Sequence, residues 1–135
     1  MKRLLNTFSS FSLSKHAGVI IAGGKGQQII SADIPKSLIL VMGMPLIHYA
    51  IERLKEMNIS EIFVVVDHAS KDEVGAVIRR LVHDNHSTPK IVLIGHKSGE
   101  FTFDVLHMVA KRVAKDCIVT PCDLIFDRLS LFCLL

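Results

Sequence analysis

The chain has 135 residues, half of them hydrophobic, with a mean hydropathy of +0.42. That length suggests one domain with a core large enough to fold alone, and no apolar run approaches the ~18 to 20 residues that span a bilayer, so the hydropathy reads as a buried sheet and not a membrane protein. The net charge of +3 is scattered, so no nucleic-acid partner is implied, while an anionic small ligand is left open.

Residues 1–16, MKRLLNTFSSFSLSKH, hold Lys2, Arg3 and Lys15, four serines and no acid. They read as a flexible N-terminal extension, with only a faint likeness to an organelle transit peptide. There is no long apolar stretch followed by a small-residue cleavage site, so secretion is not expected. Residues 17–135 read as the domain.

From residue 17 the pattern alternates. AGVIIAG is a short apolar run closed by glycine, the mark of a buried strand. SLILVMG is a second short apolar piece. PLIHYAIERLKEMN places Ile47, Ala50, Ile51, Leu54 and Met57 on one helical face, with Pro45 suited to the first turn. EIFVVVD, rich in β-branched residues, is a strand.

In SKDEVGAVIRRLVHDN the spacing of Ser70 and Glu73 matches a capping box, and Val74, Val77, Ile78, Leu81 and Val82 form an apolar stripe. KIVLIG is a strand. TFDVLHMVAKRVAKD is a helix with Phe103, Leu106, Val109, Ala110 and Val113 inward, and Thr102 reads as its N-cap. CIVTPCD is a strand ending at Pro121. The closing LIFDRLSLFCLL reads as helical. Its apolar tail fits cover for a sheet edge, a dimer contact in a homo-oligomer, or the end of a truncated chain.

Short apolar strands alternating with amphipathic helices predict an α/β fold with a mostly parallel sheet. Such strands are buried on both faces, which accounts for the hydropathy. Ligands of these sheets sit outside the carboxyl ends of the strands. Three loops there carry residues of interest: the turn at Gly23, the segment from Gly95 to Thr102, and the TPCD end at Asp123.

The first loop has the strongest chemistry. Gly23, Gly24 and Gly26 follow a strand directly, so backbone can approach a ligand and successive N–H groups can line an anion. Lys25 and Lys36 add positive charge. Two familiar phosphate motifs fail here. GKGQQI has Ile29 where a dinucleotide fingerprint needs its third glycine, and Lys36-Ser37 lacks the glycine of a P-loop.

IAGGKGQQI, then IPKSLILVMGMPLIHYAIERL, resembles the opening of the nucleotidyltransferases that make sugar nucleotides, together with the related cofactor guanylyltransferases and cytidylyltransferases. The match is close over residues 18–66 and looser to Asp123. The resemblance implies a three-layer α/β/α Rossmann-like fold of the nucleotide-diphospho-sugar transferase type, in truncated or minimal form. It implies an enzyme that takes a nucleoside triphosphate and a phosphorylated small-molecule acceptor and releases pyrophosphate; the cysteine pattern fits a reducing, cytoplasmic setting.

The same resemblance assigns roles. Ala22, Gly23 and Gly24 would hold base and ribose. Gly26 and Lys25 would lie near the triphosphate, and Lys36 would contact the phosphate where the new bond forms. Asp123 would bind Mg2+, which prefers carboxylate and phosphate oxygens. Ser98 and Gly99 fall in the segment that reads the base.

Two features depart from the pattern. Gln28 stands where the family has the arginine that clamps the β- and γ-phosphates, and Gln27 replaces the threonine before it. The family members also run well beyond the point where this sequence stops after Asp123, and Asp127 is too close to supply their second metal carboxylate. Alternative readings are therefore a non-catalytic nucleotide-binding domain or part of a larger transferase.

The remaining candidates have plainer readings. Asp123 also fits a cap for the closing helix. Cys117, Cys122 and Cys133 lack metal or disulfide spacing and suit a reducing compartment. His83 and His86, beside Asp84, are the one histidine pair spaced for a metal. His16, His48, His68, His96 and His107 read as surface or partly buried residues.

Overall fold

The computed structural model describes residues 13–24, 33–82, 89–97 and 102–124. In chain order these form strand β1 (Ala17–Ile21), β2 (Leu40–Val41), β3 (Met44–Pro45), helix α1 (Leu46–Glu56), β4 (Glu61–Asp67), helix α2 (Lys71–Val82), β5 (Lys90–His96), helix α3 (Thr102–Ala110) and β6 (Cys117–Pro121). Short 3-10 turns at Lys36–Leu38 and His68–Ser70 precede β2 and α2.

Among the described residues, four strands make one sheet in the order β5-β4-β1-β6. Every pairing in it is parallel: Val19 lies beside Phe63 and Val119, and Val64 beside Leu93. The apolar runs of the central strands β1 and β4 are continuous because both sheet faces are covered there, whereas edge strand β6 leaves Val119 exposed. Ile20, Ile62, Val64 and Val66 point to one face and pack with Ile47, Ile51 and Leu54 of α1 and Val74 and Ile78 of α2. Val19, Phe63 and Val65 point to the other face and pack with Val105 and Val109 of α3. The result is the expected three-layer α/β/α arrangement. No helix among the described residues is long and apolar enough to cross a membrane.

The helical face read in α1 is the buried one, and Leu54 is fully enclosed. Truncating it to alanine would cost about 2–5 kcal/mol in lost transfer energy and cavity. Pro45 lies one residue outside α1, in β3, with φ −66°. Leu13, within the segment read as an extension, is buried and donates its N–H to the Met57 carbonyl at 3.1 Å.

The structure corrects several local readings. SLILVMG does not yield a strand of the main sheet. Lys36–Leu38 is a 3-10 turn, and Leu40–Val41 pairs antiparallel with Met44–Pro45 in a separate hairpin. The bend between those strands places Met42 at φ 51° and Gly43 at φ 82°, which closes the hairpin before a longer strand can form. Ser70 does not open α2 as an N-cap, because the His68–Ser70 turn already carries helical backbone into Lys71.

The inward stripe of α3 runs through Val105 and Val109, with Met108 and Val113 beside them, while Leu106 is half-buried and Ala110 is exposed. This helix is apolar nearly all round, so periodicity alone does not select a face. Thr102 is its first residue and not a cap outside it. The side chain of Phe103 lies outside the described set, as do His83, Asp84, His86, Asp127, Cys133 and the closing segment.

Candidate functional site

The strand order reverses at β1: the chain passes from β1 to β4 and β5 on one side and returns to β6 on the other. Open α/β sheets form their ligand crevice at such a switch point, beyond the carboxyl ends of the strands. The chain leaving β1 is held on both sides there. Ala22 donates its N–H to the Val65 carbonyl at 2.7 Å, and Cys122 donates to the Ile21 carbonyl at 3.0 Å.

The glycine turn follows. Gly24 has φ +97°, a region L side chains rarely adopt. Its N–H donates to Oδ2 of Asp67 at 2.8 Å, and its carbonyl accepts the N–H of Lys36 at 3.1 Å. Gly23 leaves no room for a side chain, since a Cβ there would lie 2.7 Å from Nε2 of His96.

Pro35 is buried, with φ −56°, and starts the 3-10 turn that carries Lys36. The Lys36 ammonium forms an ion pair with the carboxylate of Asp123, just past β6. Its hydrogen bond is the main reason the Asp123 carboxyl sits below the usual carboxylate range. Cys122, next to it, is buried, and desolvation, helped by the charge of Asp123, pushes its thiol up to about 11. That thiol stays protonated and is no nucleophile at neutral pH.

Of the residues singled out in the sequence, Ala22, Gly23, Gly24, Lys36 and Asp123 therefore meet at one place. Lys25, Gly26, Gln28, Ser98 and Gly99 lie outside the described residues. Two neighbours of the turn escaped the sequence reading. Asp67 ends β4 and His96 ends β5. His96 is buried and not a surface residue, because it packs between Gly23 and Asp67. The available signal was a polar residue closing an otherwise apolar strand, VVVD and LIGH, at the sheet edge where ligands bind.

A family model described as the MobA-like NTP transferase domain matches residues 18–132. The chain belongs to that family. The match takes in the glycine turn, Lys36 and Asp123, and it bears out the resemblance carried by residues 18–66. The low-salt glycan biosynthesis nucleotidyltransferase Agl11 of Haloferax volcanii is 39% identical over 59 residues, or 42% of this chain and 16% of that protein.

Two solved structures share the fold. The inositol-1-phosphate CTP transferase from T. maritima is 15% identical with a TM-score of 0.66, covering 84% of this chain and 45% of that one. A Bacillus anthracis protein assigned as a glucose-1-phosphate thymidylyltransferase, solved with a sucrose, is 20% identical with a TM-score of 0.73, covering 88% and 50%. The chain thus spans half or less of the length of these relatives.

Proposed function

We propose that this domain binds a nucleoside triphosphate over the glycine turn and transfers its nucleoside monophosphate to a sugar phosphate or similar acceptor. An oxygen of the acceptor phosphate attacks the α-phosphorus and forms the new P–O bond. The bond from that phosphorus to the bridging oxygen breaks, and pyrophosphate leaves with the electron pair. Positioning and charge neutralisation supply most of the rate in such transfers.

The observation that carries this reading is the Lys36–Asp123 pair across the switch point. The backbone tie to Gly24 fixes where Lys36 starts, and the ammonium reaches the crevice. There it can neutralise charge building on the transferred phosphate. In the structure the same ammonium is matched by Asp123. Lys25, Gly26 and Gln28 would continue the triphosphate contacts, and Ser98 and Gly99 those to the base.

The donor set suits magnesium. Among the described residues no three His, Cys, Asp or Glu side chains converge. Mg2+ is commonly held by one or two carboxylates, with phosphate and water completing its shell. Asp123 would be that carboxylate, and the ion would offset phosphate charge. The free thiols Cys117 and Cys122 fit a reducing, cytoplasmic setting.

The test is pyrophosphate release from each nucleoside triphosphate against a panel of sugar phosphates, with Lys36→Ala and Asp123→Ala as controls. Release that both variants abolish supports the reading; no release from any pair overturns it. Gln28 favours a second reading, a domain that binds nucleotide without turnover, because glutamine cannot supply a charged bidentate clamp. Calorimetric binding of a nucleotide in a chain that releases no pyrophosphate would select it.

A further inference from the structure

A continuous line of contacts crosses the carboxyl edge of the sheet, and its first half has no role in the chemistry above. Nδ1 of His96 lies 2.9 Å from the Lys97 carbonyl, and Nε2 lies 3.4 Å from Oδ1 of Asp67. Oδ2 of Asp67 accepts the Gly24 N–H at 2.8 Å, the Gly24 carbonyl accepts the Lys36 N–H at 3.1 Å, and the Lys36 ammonium meets Asp123. The line therefore runs from β5 through β4 and β1 to β6.

The two side chains at its start are well enclosed, with His96 at 8% and Asp67 at 15% exposure. A carboxylate removed from water to that degree is costly unless its oxygens are used. Here both are: one holds the turn and the other faces the imidazole. The imidazole in turn occupies the space a side chain at Gly23 would need. The left-handed backbone at Gly24 is thus held from below by groups on two neighbouring strands.

We propose that Asp67 is a positioning residue for the nucleotide turn, with His96 propping it, and that this brace sets where Lys36 enters the crevice. The inference rests on the nucleotide-binding reading above. It also alters one expectation from the sequence. The Gly24 N–H is bound by Asp67, so it is not among the donors that cradle a phosphate. Asp67 shapes the site and does not touch the ligand.

The alternative is that Asp67 competes with a phosphate for the Gly24 amide, and the two ideas give opposite signs. The experiment measures amide exchange at Gly24 by 15N NMR without ligand, and calorimetric affinity for nucleoside triphosphates, in wild type, Asp67→Ala, Asp67→Asn and Gly23→Ala. The brace predicts that Asp67→Ala speeds Gly24 exchange and weakens triphosphate binding about tenfold, the value of one hydrogen bond to a charged acceptor.

Asp67→Asn keeps an acceptor oxygen and retains most of both properties. Gly23→Ala, whose Cβ would press on His96 and through it on Asp67, is expected to speed Gly24 exchange as well. Unchanged Gly24 exchange in Asp67→Ala, or tighter triphosphate binding, overturns the brace. Should Asp67→Ala not fold, the Asp67→Asn and Gly23→Ala pair carries the same comparison. Should wild type bind no triphosphate, the nucleotide reading fails, and Gly24 exchange still reports on the brace by itself.

Discussion

Lys36 and Asp123 stand on opposite sides of the point where the strand order reverses, and their side chains pair across it. Neither is deeply buried: the side chains are 27% and 36% exposed. A pair so exposed contributes only about 0–1 kcal/mol to stability. Its place at the switch point is therefore better explained by function than by folding. Lys36→Ala and Asp123→Ala are expected to melt close to wild type, yet each lowers kcat for pyrophosphate release by about 10² to 10³, the usual loss when a transition-state charge partner is removed. Variants that unfold, or that turn over normally, would sink the assignment.

The pair has a titration signature. Lys36 holds the Asp123 carboxyl below its usual range, chiefly through their hydrogen bond. A depressed carboxyl contributes stability that is present above its unfolded pKa and is lost as pH falls through its folded value. Carbon-detected NMR of Asp123 should show the depressed value in wild type and a rise toward the ordinary carboxylate range in Lys36→Met. An unmoved titration in that variant would mean the two side chains do not pair in solution.

Much of this site was legible in the sequence, for uneven reasons. Strands β1 and β4 stand out because sheet burial on both faces makes each run apolar, and the edge strands β5 and β6 by short apolar runs closed at glycine or proline. The β2–β3 hairpin did not, since two-residue strands carry no periodicity. The Asp123 end lies at the carboxyl edge where ligands sit, and the charge beside the glycine turn points to Lys36, but their specific roles rest on family likeness. Asp67 and His96 required the strand order. Asp67 is 43 residues from Gly24 in the chain and becomes its neighbour only because β4 lies beside β1.

Cysteine reactivity should divide along the β6 boundary. Cys117 is exposed, whereas Cys122 is buried with its thiol pushed up to about 11. Only the thiolate attacks alkylating agents at a useful rate. Peptide mapping after brief iodoacetamide treatment at pH 8 should find Cys117 modified and Cys122 intact. Equal labelling of both in the folded chain would contradict the burial of Cys122.

Gln28 sets the prospect for gain of function. A charged, bidentate contact to phosphate is worth about 1.5–3 kcal/mol more than its absence, roughly a ten- to hundredfold change in affinity. Gln28→Arg is therefore expected to tighten binding of nucleoside triphosphates while leaving monophosphates nearly unaffected. Parallel calorimetry with the two ligand classes makes the comparison. An equal gain for both would point to general attraction by added charge and not to a clamp.

Ser37 follows Lys36 directly and presents the opposite problem. It is fully buried, and its Oγ has no hydrogen-bond partner among the described residues. An unsatisfied buried hydroxyl carries a desolvation cost of about 1–3 kcal/mol. Ser37→Ala removes only the oxygen and leaves a methyl group at a fully buried position, so the cavity it creates is small. The variant should unfold at higher denaturant with an unchanged m-value, gaining about 1 kcal/mol, which corresponds to a few degrees in Tm for a domain of this size. The same measurement repeated with saturating triphosphate separates two uses of the hydroxyl. If the ligand-induced stabilisation is as large in the variant as in wild type, Ser37 is only a folding cost. If it shrinks, the hydroxyl serves the ligand.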